Sequence, residues 1–250
     1  MSLPSAGRRW ARTALALTAS LLTAGLSAAQ VASEAPPPID ASQSVRSIVA
    51  KYLEFRGPAY QQLQTIHERF FLETPAGRQL GGLWMDRDGR FRRETGAAGS
   101  RQVAVATADG AWRSDGTGPP QDDPGASERA RRYAALAFGD ALTGRDGATV
   151  SLAGTADMED KTWSVLRVTF GDADVYDVLI DPTTGLLCCY RITEGGKARV
   201  ELFGDWRLVD GVRMPFAEMT HAAADVGAQV GMIELNRPID PSLFQRPSGG

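Results

Sequence analysis

Three Asp-Gly pairs, each set between runs of alternating apolar and polar residues, constrain the fold of this chain more than any other feature. They are Asp88-Gly89, Asp109-Gly110 and Asp210-Gly211, the last within the stretch DWRLVDGVRMPF. Aspartate and glycine tolerate the positive φ of a type I′ turn, so each pair predicts a β-hairpin. Successive hairpins build an antiparallel meander rather than parallel strands joined by helices.

A period of two, typical of half-buried strands, covers most of the chain after residue 62. Within it, Pro215 cannot donate a ladder hydrogen bond, so its strand is an edge strand or the proline lies at a bulge. We expect nine or more strands, and the clearest runs are 65–73, 81–94, 101–114, 163–170, 174–181, 186–193, 198–209, 212–221 and 228–236.

Two segments have helical spacing instead. The first is capped by Asp40 or Ser42 and ends at Gly57-Pro58, and its apolar stripe consists of Val45, Ile48, Val49, Tyr52 and Leu53. The second follows a loop at 115–125 and is capped by Ser127. One face of it has Tyr133, Leu136 and Ala137, and much of the rest has Arg129, Arg131 and Arg132. After the last strand, Asp240-Pro241 predicts a turn that packs Leu243 and Phe244 against the body.

The N-terminal residues have the pattern of an export signal. Residues 1–29 combine a basic start, a short apolar run and small residues before a cleavage site near Ala29. A mobile Pro-rich leader (30–41) and a single domain (42–247) follow, in what we expect to be a soluble periplasmic protein. Removing the signal takes away three arginines and no acids, which moves the formal net charge from −3 to −6. An acidic chain is a poor partner for nucleic acid.

Three stretches resemble the outer-membrane lipoprotein carrier (LolA-like) superfamily, in the variants called outer-membrane lipoprotein-sorting proteins. They are DVLIDPTTGLL (177–187), GDWRLVDGVRMPF (204–216) and ELNRPIDPSLFQRP (234–247), and the resemblance spans about 43–247. It implies a mainly β fold with helices (α+β), in which a single curved antiparallel sheet forms an incomplete barrel. Helices would cover its concave face, and the apolar cavity would hold acyl chains without any cofactor.

These expectations define a first hypothesis: a periplasmic carrier of the acyl chains of lipids or lipoproteins, monomeric and served by inner- and outer-membrane transport proteins. The alternative is a cell-envelope sensor or protein-interaction module with the same fold and no transport role. Alternation along the strands predicts the cavity lining, although a methionine or phenylalanine there could equally fill core. The predicted residues are Phe70, Leu72, Leu83, Met85, Val103, Val105, Leu166, Val168, Val178, Ile180, Val200, Leu202, Met214, Phe216 and Met232.

We find no motif for catalysis or metal binding and expect no enzyme. His67 begins HERFF, which has phenylalanine where a zinc-protease motif needs its second histidine. We expect His67 and His221 on exposed strand faces, with an uncharacterised hydrolase as a third hypothesis. The acidic groups at 157–160 and 172–174 lack EF-hand spacing and are expected to be solvated turns rather than calcium sites. Cys188 and Cys189, as strand neighbours, point to opposite faces, so we expect no disulfide.

Overall fold

Thirteen antiparallel strands form one sheet in this computed structural model, which describes residues 45–74, 77–96, 100–158, 160–171, 174–194, 196–221 and 226–247. The predicted signal, the leader and the candidate caps Asp40 and Ser42 lie outside the described residues. The strands are β1 Thr65–Thr74, β2 Gly77–Asp86, β3 Phe91–Thr95, β4 Gln102–Thr107, β5 Gly110–Ser114, β6 Gln121–Asp122, β7 Thr149–Met158, β8 Lys161–Thr169, β9 Val175–Ile180, β10 Leu187–Glu194, β11 Lys197–Val209, β12 Val212–His221 and β13 Val226–Leu235.

The sheet consists of two meanders joined at one seam. Its order is β6-β5-β4-β3-β2-β1-β13-β12-β11-β10-β9-β8-β7, so β1 pairs with the last strand of the chain, and β6 and β7 are the two ends of an open sheet. Every neighbouring pair is antiparallel. The predicted antiparallel meander is confirmed, and β7, for which the sequence analysis predicted no strand, completes it.

All three Asp-Gly pairs join neighbouring antiparallel strands, but only Asp210-Gly211 has the predicted type I′ geometry, because Asp88 and Asp109 do not have a positive φ. Asp210 and Gly211 have φ values of +48° and +82°, as a type I′ turn requires. Pro215 lies in an interior strand, and the register of β11 with β12 has no shift at this position, so neither the edge-strand nor the bulge alternative is confirmed. The proline is paired with Trp206, next to Asp205, which has a φ of +51° and no partner in the register. Pairing of β12 with β13 starts only at Ala217, so no ladder bond is lost at the proline.

Two α-helices accompany the sheet within the described residues. Helix α1 (Val45–Arg56) buries its predicted stripe and ends at Gly57, whose amide donates to the Leu53 carbonyl. Helix α2 (Ala126–Ala137) begins after Gly125 in a left-handed conformation, and no side chain caps it, so the predicted Ser127 cap is wrong. Arg132 is also not on a solvated face: it is buried in an ion pair with Asp174. No described helix has the length and apolarity to cross a bilayer.

The sheet curves around the helices. Helix α1 packs on β12 and on β7, which are five places apart in the sheet, and α2 packs on β4 and β5. One core therefore joins both helices to side chains from β1 to β3 and from β7 to β13. We call the side of the sheet that faces this core the inner face. This architecture confirms the predicted incomplete barrel, mainly β, with helices on its concave side.

The opposite side, here called the outer face, carries apolar clusters of its own. Trp163, Val165, Leu179 and Cys189 form one across β8, β9 and β10. A second joins Val105, Trp112 and Phe244. Phe244 belongs to the short 3-10 helix Pro241–Phe244, where Asp240 accepts a hydrogen bond from the Ser242 amide. The predicted terminal turn is confirmed, and it packs on the outer face.

Candidate ligand-binding site

A cavity of about 330 Å³ lies between α2 and the inner face of the sheet. Such a volume is within the range of small-molecule pockets, ~300–1,000 Å³. Strands β1 to β5 form one wall, and β9 to β13 contribute to the opposite one, which is possible only because the sheet is curved. The apolar part of the lining includes Phe70, Leu72, Leu83, Phe91, Phe203 and Met219.

Helix α2 forms the cover of the cavity with small residues and one tyrosine. Ala126, Ala130 and Tyr133 follow each other at helical spacing and all face the space. The Tyr133 ring meets Phe91 edge to face, with ring centroids 6.3 Å apart. The two alanines leave room that longer side chains would fill.

Phe70 is held in the wall by a glycine. Gly81 is its direct partner on β2, and a methyl group there would lie 2.2 Å from the Phe70 ring. The ring thus lies over the neighbouring strand, with the guanidinium carbon of Arg93 5.4 Å from its centre, and it lines the cavity. A second depression of about 770 Å³ adjoins the cavity and shares Leu72, Arg93 and Ala104 with it.

Charged side chains complete the lining. Glu68 lies on β1 between Ile66 and Phe70 on the same face and is only 6 % exposed. Glu218 occupies the equivalent inward position on β12, paired with Phe203 and Ala228. Sequence reasoning missed both, although a glutamate in the apolar phase of an alternating strand is a readable signal.

The protein environment holds both carboxyl groups towards their neutral form. Burial, together with the charge of Glu218, raises the pKa of Glu68 to about 8. Burial and the neighbouring Glu201 raise the pKa of Glu218 to about 7. Burial also raises the pKa of Tyr133, and the charges of Glu218, Glu201 and Glu68 add to that shift.

Apart from Arg93, the other charged side chains around the cavity are paired within the protein. Arg199 donates to Glu194 at 2.5 Å and to Glu201 at 3.0 Å. Arg129 of α2 pairs with Asp123 at 3.0 Å. In these pairs, both arginines are engaged with acidic groups of the protein itself.

A buried cation lies where α1 meets the sheet. Arg56 is 3 % exposed, its guanidinium is 3.9 Å from the centre of the Tyr60 ring, and it donates to the Tyr52 hydroxyl at 2.7 Å. Tyr60 in turn donates to the carbonyl of Ala137, the last residue of α2, at 2.8 Å. This network links α1 to the end of α2.

The structure places the fifteen predicted lining residues in three groups. Phe70, Leu72 and Leu83 line the cavity. Seven more lie in the solid inner core around it, namely Met85, Leu166, Val168, Val178, Ile180, Met214 and Phe216.

The side chains of the remaining five predicted lining residues lie on the outer face of the sheet. Val103 and Val105 border the two depressions through β4, but they pack with the outer cluster at Trp112 and Phe244. The predicted inward orientation is wrong for Val200 and Leu202, which pack on the outer cluster at Cys189 while Arg199, Glu201 and Phe203 face inward. It is also wrong for Met232, paired with Arg69, because a register shift separates it from Val230.

The histidines lie away from the cavity. His67 is on the outer face, stacked on Trp84 with ring centroids 4.8 Å apart, and its Nδ1 is 3.0 Å from Glu234. Only 15 % of its side chain is exposed, so the expected exposed strand position is wrong. His221, at the end of β12, is half-buried opposite Val200.

The acidic groups considered as calcium sites and the two neighbouring cysteines lie in surroundings that differ from those that the sequence suggested. Asp157 accepts from the Thr162 hydroxyl at 2.6 Å, and Asp174 is buried against Arg132. The described residues contain no group of three metal-ligating side chains. Cys188 and Cys189 are not joined in a disulfide, and a β-bulge beside them lets both contact the outer cluster instead of opposite faces.

Comparison with known proteins finds similarity in structure alone. No family model matches the chain, and no curated protein matches it in sequence. A LolA superfamily protein from Nitrosomonas europaea superposes with a TM-score of 0.55 at 13 % identity, covering 81 % of this chain and 98 % of the other.

Two further solved structures cover the same share of this chain. A putative outer membrane lipoprotein-sorting protein domain from Vibrio parahaemolyticus has a TM-score of 0.51 at 9 % identity, with 96 % of its length covered. A DUF1329 family protein from Desulfovibrio piger has a TM-score of 0.55 at 9 % identity, with 98 % covered. At such identities the likeness concerns the fold, and with the open sheet and its two helices it shows that this chain has the LolA-like fold.

Proposed function

We propose that this protein binds acyl chains of lipids or lipoproteins in the cavity under α2 and carries them through the cell envelope. One observation carries the proposal: Phe70, Leu83 and Phe203 present apolar surface to a space of about 330 Å³ that protein atoms leave unfilled. The LolA-like fold supports the same conclusion by analogy. The proposal assigns no catalytic step to the chain.

Burial of an acyl chain in such a cavity supplies enough free energy to hold the ligand during transport. Each methylene group that leaves water contributes ~0.8 kcal/mol, which corresponds to about a fourfold change in dissociation constant. No covalent bond forms, so the chain can be released again when a membrane offers an equally apolar environment.

A series of n-alcohols tests the binding step. Isothermal titration below the micelle concentration should show affinity rising about fourfold per methylene until the cavity is full. Ala130→Met, which places a long side chain in the cavity from α2, should weaken binding of the longer alcohols. Arg131→Met on the exposed side of the same helix is the matched control.

Carriage itself is tested with two vesicle populations, one loaded with a fluorescent acyl lipid. The protein should speed transfer of the lipid from the first population to the second, and Ala130→Met should abolish the acceleration. Binding without any transfer would favour the alternative of a lipid-responsive sensor. Failure of every alcohol to bind would refute the proposal.

A further inference from the structure

The acidic side chains in the cavity point to the polar part of the ligand. Glu68 is more than nine-tenths buried, lines the cavity, and receives no hydrogen bond or ion pair from the residues that the structure describes. The carboxyl oxygens of Glu68 are not among the fully buried polar atoms without a partner in the described residues, so they reach the cavity space, where water or a ligand must supply their hydrogen bonds.

The charges of the lining do not balance within the described part of the chain. Arg199 neutralises Glu194 and Glu201 in part, and Arg129 neutralises Asp123. Glu68, Glu218 and Arg93 have no salt bridge among the described residues. The lining carries five acids and three arginines, an excess of negative charge.

Arg93 compensates the two glutamates only in part, since burial and acidic neighbours raise the pKa of both by more than its charge lowers it. It is exposed, its guanidinium carbon lies 5.4 Å from the centre of the Phe70 ring, and it forms no salt bridge with either glutamate in the described part of the chain. Its strand is separated from that of Glu68 by β2, with Leu83 paired to both. Strands in a sheet are ~4.8 Å apart, so two steps leave the backbones ~10 Å apart.

The raised pKa values of Glu68 and Glu218 agree with this excess of negative charge in the lining. Their pKa values rise because the protein supplies burial and negative neighbours but little compensating positive charge. A cation brought by a ligand would stabilise the ionised carboxylates and remove part of the cost of burying them.

We propose that the cavity selects amphiphiles with a protonated amine, the alkyl chain lying against Phe70 and Phe203 and the ammonium group donating to the carboxylate of Glu68. Glu218 supplies a second negative charge in the same lining, to which Tyr133 of α2 also belongs. This inference rests on the proposed binding of alkyl chains and names the chemical class of the ligand.

The experiment compares dodecylamine, dodecanol and dodecanoate, titrated separately into the full-length protein. A charge-assisted hydrogen bond to a buried carboxylate should make the amine bind about tenfold or more tightly than the alcohol, with the carboxylate weakest. In Glu68→Gln the preference for the amine should fall to near one, while binding of dodecanol, which reports an intact cavity, persists.

Glu73→Gln is the matched control, since Glu73 lies on the same strand and its side chain is 63 % exposed. It should keep the preference for the amine. Equal affinity for amine and alcohol, or an unchanged preference in Glu68→Gln, would overturn the inference and leave the proposed function standing. If none of the three ligands binds, both are refuted.

Discussion

Replacement of Gly185 by alanine probes how α1 is held over the sheet. Gly185 follows β9 in the turn DPTTG, has a φ of +75°, and its amide donates to the Asp181 carbonyl at 2.8 Å. A methyl group there would lie 2.0 Å from the carbonyl oxygen of Lys51 and 2.8 Å from the amide nitrogen of Tyr52. Both atoms belong to the backbone of α1, so no side-chain rotation relieves the contact.

The expected loss in free energy of unfolding has two parts. A Cβ atom in the left-handed region costs ~1–2 kcal/mol. Since real Cβ contacts are essentially never shorter than 3.0 Å, α1 and the turn must also separate by about 1 Å. Overpacking of that kind costs ~1–3 kcal/mol. Gly185→Ala should thus lower the free energy of unfolding by ~2–5 kcal/mol.

Gly144 provides the control, because its φ is +74° and a methyl group added to it would meet nothing within 4 Å. Gly144→Ala has the same backbone penalty without the contact. In urea unfolding followed by circular dichroism, the two variants should differ by ~1–3 kcal/mol, or roughly 0.5–1.5 M in midpoint. Equal midpoints would refute the close approach of α1 to this turn.

Three further changes have definite outcomes. Tyr60→Phe, which removes the hydrogen bond to the Ala137 carbonyl, should cost ~1–2 kcal/mol in urea unfolding, and no change would contradict the link between the helices. Gly81→Ala should turn the Phe70 ring into the cavity and weaken dodecanol binding about tenfold, whereas Gly227→Ala, with open space around it, should not. Because the pKa of Glu68 is about 8 when folded and near 4.5 when unfolded, the folded state binds more protons between these values and stability falls as pH rises. Glu68→Gln should therefore be more stable than the parent by ~1–3 kcal/mol at about pH 8 and equal to it at about pH 4, and an equal difference at both pH values would contradict the burial of an ionising group.

Local signals were sufficient for most elements of the fold. The predicted bounds of β12 agree with the structure, and α1 buries its predicted apolar stripe. Hairpin turns and helix stripes depend on residues within a few positions of one another, so they can be read from the chain directly. The open sheet with helices on its concave side was predicted from the resemblance, and the structure confirms it.

Prediction of the cavity was less successful because alternation does not reveal which face of a strand is inside. On β11 the apolar residues Val200 and Leu202 cover an outer cluster, while Glu201 and Phe203 point inward. The usual rule assigns apolar residues to the core, but this sheet buries apolar side chains on both faces. The register shift beside Phe70 similarly reverses the direction of Met232.

The sequence by itself determined the hairpins, the antiparallel order and the two helical segments, since these follow from φ preferences and spacing along the chain. Only the tertiary structure decided which side chains enclose the cavity and that Glu68 and Glu218 share it. The two glutamates are 150 positions apart in the sequence. Their proximity arises because β1 pairs with β13 and the sheet curves, and long-range pairing and curvature depend on packing against the helices rather than on any local signal.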